Sequence, residues 1–378
     1  MLGRIIVRWI ILGASVLVVM EVVASTSFQL FVKDRLATHW RVDPTADILR
    51  IDEESIEQFK IEYFDTDLGW VFKPTTTSIR YTTFDERGAR RSLEAPQSVG
   101  RWLAAYGDSF TFGEDVADDQ TWPAYLSKIL GLPVDNYGVA GYGPDQALLR
   151  LERHLKAGRK PAAAILGILS ENIARVVNVY RHYYITTSEV MNFKPTLIVN
   201  EDKSTWAANP LRKLDNRESL LAAVSAADAT DFWATYNEQR PEPGFPHLIS
   251  ALDTFHYLVF RVRRWQDLWQ LDAPRTRLRG VIDRFVETST TNGLQPVVLM
   301  IPMGLDLRAR DNGEDWTYRG LVTQLREDYA VGDLTVIDPL EHDFASARFN
   351  LQPFAGHASP YGNRILAEIT ARYFDILR

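Results

Sequence analysis

From residue 101 onward the chain alternates short apolar runs with segments whose apolar side chains recur at helical spacing. That alternation restricts the fold more than any other feature. Leu103 to Tyr106, Val134 to Val139, Ala162 to Gly167, Pro296 to Ile301 and Leu334 to Ile337 read as strands. After Thr121, the residues Trp122, Tyr125, Leu126, Ile129 and Leu130 share one helical face, with Pro123 near the start and Gly131 just past the end. Pro144 to Lys156 is a second helix, stopped by Gly158, and Glu171 to Tyr180 a third. Leu278, Val281, Ile282, Phe285 and Val286 line a later one, and helices are expected at Trp316 to Tyr329 and after Pro360. The fold class is therefore α/β, with a central parallel sheet covered by helices on both faces.

Three regions depart from this rhythm. Residues 1–32 hold a long apolar stretch interrupted by Arg8 and Glu21. With Arg8 at an interface, Trp9 to Leu30 matches the ~20 residues that cross a bilayer. Glu21 is costly in such a span. Arg4 and Arg8 precede it and Lys33, Arg35 and Arg41 follow, so charge bias leaves the orientation open. A short basic tail before an apolar run reads as an uncleaved signal anchor; cleavage near Val22-Val23-Ala24, or a buried helix, are the other readings. Residues 33–100 are polar and irregular, a linker followed by a small β element with short strands at 68–74 and 78–83. Residues 101–378 form the main domain. Within it, about 183–270 is rich in aromatics, Asn and Pro with weak periodicity, and reads as an inserted lid or substrate wall, or else as elaborated scaffold.

A net charge of −7 without a basic block argues against nucleic-acid binding. With no cysteine, disulfides and thiol catalysis are excluded, and a metal would need histidine and carboxylate ligands.

The chemistry begins at Gly107-Asp108-Ser109-Phe110-Thr111, directly after the first strand. A serine on a glycine turn at the carboxyl end of a buried strand is placed as a nucleophile, and it needs a base. Of the histidines at 39, 154, 182, 247, 256, 342 and 357, only His357 combines a flanking glycine, a loop setting and an immediate helix start. Acyl chemistry also needs donors for an oxyanion. Gly141 follows the second strand and Asn172 the third. Read singly, Asn172 is a helix cap and Gly141 a turn residue; together, Ser109, Gly141, Asn172 and His357 each follow a strand of one sheet.

These residues resemble the SGNH, or GDSL-type, hydrolases. The blocks are Tyr106 to Phe110, Asn136 to Gly141, Gly167 to Asn172, and Gly356-His357-Ala358-Ser359-Pro360-Tyr361-Gly362-Asn363-Arg364. The resemblance spans residues 101–378 apart from the insertion. It implies a flavodoxin-like three-layer α/β/α fold. It also implies Ser109 as nucleophile and backbone donor, Gly141 and Asn172 as further oxyanion donors, and His357 as base. An α/β-hydrolase elbow fits less well, since Thr111 stands where it would have glycine.

The chain departs from the family pattern at two positions. Phe354 stands three residues before His357, where an aspartate is usual, and Ile173 follows Asn172 where another is usual. The first removes the group expected to orient the imidazole. A backbone carbonyl near Phe354 could replace it, Asp343 or Glu341 could swing in, or activity could be lost. The resemblance implies a membrane-anchored serine esterase acting outside the cytoplasm on O-acyl, such as acetyl, groups of a cell-surface polysaccharide or other carbohydrate. No cofactor or metal is expected, and no nucleic-acid partner. An O-acyltransferase, and a non-catalytic polysaccharide-binding or assembly protein on a hydrolase scaffold, are the alternatives.

Overall fold

The computed structural model describes residues 2–32, 35–74, 76, 82–91, 100–200, 203–330 and 332–374. Its centre is a five-stranded, wholly parallel sheet formed by β1 (Leu103–Tyr106), β2 (Val134–Asn136), β3 (Ala163–Leu169), β4 (Gln295–Ile301) and β5 (Thr335–Ile337), in the order β2-β1-β3-β4-β5. Every residue of β1 and β3 is buried. That is why these strands read as continuous apolar runs rather than as alternations.

The first helix, α1 (Leu2–Ser27), lies outside this core and is described below. The remaining helices form two layers. On one face α2 (Trp122–Leu130) packs along the C-terminal helix; on the other, α3 (Pro144–Lys156) contacts the helix Asp272–Thr291. The α2 boundaries follow from local chemistry. The Thr121 side chain accepts from the Ala124 N–H, Pro123 is in the first turn, and Gly131 closes the helix in the left-handed region. The strand order reverses between β1 and β3. Loops leaving the carboxyl ends of two adjacent strands diverge there, which leaves a crevice.

Several expectations change. Residues 35–62 are not a plain linker: they carry helices Pro44–Arg50 and Glu53–Glu62, each capped by an aspartate, Asp43 and Asp52. The β element is a hairpin pairing Phe64–Asp65 with Gly69–Trp70, while the strand expected at 78–83 lies mostly outside the described residues. The helix expected from Glu171 to Tyr180 reduces to Asn172–Arg175. Beyond it the buried Asp231 carboxylate accepts the Val179 and Tyr180 N–H groups at 2.6 and 2.7 Å, drawing the backbone away from helical pairing.

Part of the insertion is scaffold. Its hairpin, Thr196–Asn200 with Lys203–Ala207, packs on the outer helical layer, where the Val199 side chain covers Gly280. The helix Arg217–Asp228 packs on Pro44–Arg50. A further helix, α4 (His247–Phe260), lies against α1. Other parts of the insertion pack on the turn that carries Asn172: Trp269 Nε1 donates to the Ser170 carbonyl at 3.1 Å, and the Tyr184 hydroxyl to Glu171 at 2.7 Å.

Leu2–Leu30 is long and apolar enough to cross a membrane, and its apolar core is not buried against the protein. Glu21, the costly residue of that span, accepts the His247 and Leu248 N–H groups at 2.7 and 3.0 Å and so caps α4. An anion at a helix N-terminus satisfies orphan donors and opposes the positive end of the dipole.

Candidate active site

Ser109 opens a single helical turn, Ser109–Phe112, directly beyond β1. Asp108 caps that turn through the Phe110 N–H at 2.9 Å. Gly107 is required by close approach: a Cβ there would lie 2.3 Å from Thr111 Oγ1 and 2.8 Å from the Gly167 carbonyl.

The structure brings Ser109 and His357 together. His357 Nε2 lies 3.2 Å from Ser109 Oγ. Its Nδ1 lies 2.7 Å from Asp115 Oδ2. A carboxylate only accepts, so Nδ1 carries the proton and Nε2 is left to accept from the serine hydroxyl. His357 is not on a loop as expected, but on the hairpin strand Ala355–Ala358, paired with Asn350–Gln352 and leading into the C-terminal helix Pro360–Phe374.

The acid that meets His357 is none of the three expected sources. Phe354 takes a left-handed backbone at φ 59°, its carbonyl packs on Gly304 and its ring lies under Arg308. Glu341 is engaged with Arg326 at 2.6 Å. Asp343 is exposed and does not reach the imidazole. Asp115 instead comes from the loop after the turn Ser109–Phe112. Its own φ of 69° is uncommon for a residue other than glycine, although aspartate tolerates it better than most.

That loop is held from behind by Arg90. The buried guanidinium donates to the carbonyls of Phe112, Gly113 and Val116 at 3.0, 2.7 and 2.6 Å and pairs with Asp118 at 2.7 Å. Asn136 Nδ2 adds a bond to the Phe112 carbonyl at 3.1 Å. Four points of attachment around one turn fix where Asp115 projects. Glu114, its neighbour, places a carboxylate oxygen 3.5 Å from His357 Nε2. Burial, with Asp115 and Asp108 nearby, pushes its pKa up, against the opposing pull of His357.

Asn172 lies beside the nucleophile turn. Its Oδ1 accepts the Leu169 N–H at 3.0 Å, and its Nδ2 donates to Asp108 Oδ2 at 3.0 Å. The second amide hydrogen has no protein acceptor among the described residues. Asp108 also pairs with Arg175 at 3.1 Å, and Arg175 pairs with Glu171 at 2.7 Å and donates to the Tyr142 carbonyl at 3.2 Å. One buried guanidinium thus joins the loops after β1, β2 and β3. Burial opposes the Glu171 charge, yet Arg175 and the Tyr184 hydroxyl hold its pKa below the usual value. Ile173, where an acid was noted as missing, is a core residue.

Gly141 sits on the loop after β2 with φ 82°, and a Cβ would meet the Arg181 guanidinium at 2.8 Å. Its carbonyl accepts from Arg181 at 2.6 Å, while its N–H has no protein acceptor among the described residues. The loop is braced by the hairpin before the main domain: Trp70 Nε1 donates to the Ala140 carbonyl at 3.0 Å, and the Tyr142 hydroxyl to the Trp70 carbonyl at 2.6 Å. No group of three or more metal-ligating side chains is found among the described residues.

No protein-family profile matches the sequence, and no curated protein does. Solved structures similar to the chain include a member of the lipolytic protein G-D-S-L family from Veillonella parvula DSM 2008, at 12% identity and a TM-score of 0.34, covering 73% of this chain and 99% of that one. An acetyl xylan esterase from the rumen bacterium Butyrivibrio proteoclasticus superposes with 11% identity and a TM-score of 0.32, covering 77% of this chain and 66% of that one.

Proposed function

We propose that the chain is a serine esterase of the SGNH type, anchored in a membrane by α1 with its catalytic domain outside the cytoplasm. The observation that carries this reading is the line Asp115–His357–Ser109, with separations of 2.7 and 3.2 Å. Ser109 Oγ attacks the ester carbonyl carbon as its proton passes to His357 Nε2. Asp115 holds the imidazole and faces the cation that forms. The oxyanion is held by the Ser109 N–H, the Gly141 N–H and the free hydrogen of the Asn172 amide. Collapse expels the alcohol, which takes the proton from His357. Water then attacks the acyl-serine, giving a proton to His357. As the second tetrahedral intermediate collapses, Ser109 Oγ leaves, taking that proton back from His357, and the acid is released. Phe354 stands where an aspartate is usual, and the Asp115 carboxylate at His357 Nδ1 favours a catalytic reading over a non-catalytic scaffold.

The substrate we favour is an O-acyl ester, of acetyl size, on an extracytoplasmic carbohydrate. His357 and Asp115 stand on an open rim, with side chains 28% and 57% exposed. An open rim admits an ester borne on a polymer, which an enclosed tunnel would not. The test is labelling by a fluorophosphonate probe together with release of acetate from O-acetylated polysaccharide. Both should occur in the wild type and vanish in Ser109→Ala. A folded wild type that takes no label sinks the esterase reading, and labelling without acetate release sinks the substrate.

A further inference from the structure

The helix α4 (His247–Phe260) is amphipathic the wrong way round for a soluble domain. Its inward face is formed by Ser250, Thr254 and Tyr257, all buried. Its outward face carries Ile249, Leu252, Phe255, Val259 and Phe260, each more than half exposed, with the exposed Asp253 and His256 among them. Ile249, Leu252, Phe255 and Val259 recur every three or four residues, with Phe260 next to Val259, so they form one stripe along the helix. Globular helices turn such a stripe toward the core. A stripe turned outward marks a surface made to be covered.

Three observations say what covers it. The helix that bears the stripe packs against α1. Glu21 caps the first turn of α4, the Ser25 hydroxyl is 2.9 Å from His247 Nδ1, and the Phe28 ring packs against His247 at a tilt of 40°, with centroids 4.7 Å apart. The contact, from Glu21 to Phe28, lies in the last third of the apolar run Leu2–Leu30, toward the end of the span where a bilayer gives way to water. Beyond the last turn of α4 come Arg261, Arg263 and Arg264, with Arg261 and Arg264 exposed, followed by Trp265. Apolar side chains bounded by arginines and an indole are the composition of a helix lying in a membrane interface.

We propose that α4 is seated in the membrane: it lies at the boundary of headgroups and acyl chains beside the span of α1, with Ile249, Leu252, Phe255 and Val259 in lipid. The inference rests on the reading of α1 as a membrane anchor. It assigns the helical end of the insertion a bilayer as its partner. A single helix would let the catalytic domain swing freely, and a second membrane contact at a fixed angle to the first sets the orientation of the domain.

The chain has no cysteine, so single labels can be introduced cleanly. Full-length protein carrying a nitrobenzoxadiazole dye at Phe255→Cys, Leu252→Cys, Val16→Cys or Glu54→Cys is reconstituted in vesicles of phosphatidylcholine and phosphatidylglycerol. Each label is challenged with doxyl-lipid and with iodide. Positions 252 and 255 project outward, so neither substitution removes core packing. The proposal expects doxyl quenching, a blue shift and loss of iodide quenching at 252, 255 and 16, and the reverse at Glu54, an exposed position of the domain. Lipid quenching at 16 with iodide quenching at 252 and 255 overturns the proposal and leaves the anchor standing. Iodide quenching at 16 removes the anchor and the proposal with it. Shielding of 252 and 255 from both quenchers shows a protein, such as a second copy of the chain, on this face, and also overturns it.

Discussion

The two halves of the site are built by opposite means. Around Ser109, Asp108, Asn172 and Arg175 are almost wholly buried and joined by hydrogen bonds that link three loops of the sheet edge. Around the base, His357, Asp115 and Glu114 stand on a hairpin and a loop with side chains 28–57% exposed. Charges in the first set are shielded from salt and have no alternative partners. Those in the second are in contact with water and are screened. The buried half therefore fixes geometry and contributes to folding stability, whereas the open half governs protonation and contributes little to stability. Substitutions in the two halves should separate stability from rate.

The largest effect is expected at the junction. Ser109→Ala should lower kcat by about 10⁴–10⁶-fold, the scale seen when a member of a nucleophile–base unit is removed. His357→Ala should match it, and the double variant should be no worse than either single one. Additive losses would show that the two residues do not act as a unit. Arg175→Leu comes next and tests the buried half. It leaves Asp108 and Glu171 without their cation, and breaking such a pair costs about 3–5 kcal/mol. A fall of that size in unfolding free energy, read by urea denaturation, is the expected outcome. A variant as stable as wild type would mean that this network does not hold the fold.

Asp115→Asn should do the reverse. Asparagine adopts a left-handed backbone readily, so the turn is kept and only the charge is lost. Stability should change by less than about 0.5 kcal/mol, as for other exposed sites. The rate should nevertheless fall. Loss of a buried orienting aspartate costs about 10⁴-fold elsewhere, and solvent at this exposed position should reduce that to about 10–10³. Full activity would remove Asp115 from the mechanism. Arg90→Met should lower both quantities, because Arg90 is buried in the core yet holds the loop that carries Asp115.

The same division explains what could be read in advance. The strands follow from continuous apolar runs, the helices α2 and α3 from periodic burial, and the four candidate residues from their place after those strands. Asp115 could not be found that way. Its role depends on a left-handed turn and on Arg90, and neither leaves a periodic pattern; its only local trace is an acidic pair after the nucleophile turn. The helices Pro44–Arg50 and Glu53–Glu62 did have a signal, in the capping residues Asp43 and Asp52, which a reading based on apolar periodicity passes over. The third helix was overextended because the acceptor that ends it, Asp231, lies more than fifty residues away in sequence.

The smallest effect is expected at Glu114, and it tests whether the two adjacent carboxylates have distinct roles. Asp115 meets Nδ1 at 2.7 Å, and Glu114 approaches Nε2 at 3.5 Å, on the side where the serine must bond. A carboxylate there competes with Ser109 for the imidazole when the ring is protonated and does nothing to hold the tautomer. Glu114→Gln should therefore change kcat/KM by less than about tenfold, well short of Asp115→Asn. Its stability has a definite sign. Burial raises the Glu114 pKa above its unfolded value, so the native state binds the proton more tightly. That contribution is present in full below the unfolded pKa and is lost as pH rises through the folded one. Relative to wild type, the Gln variant should gain stability between pH 4 and pH 8, by a small amount because the side chain is 40% exposed. Melting temperatures at the two pH values measure it. A larger rate loss at Glu114 than at Asp115 would exchange their roles and place the orienting charge on the wrong nitrogen for serine catalysis.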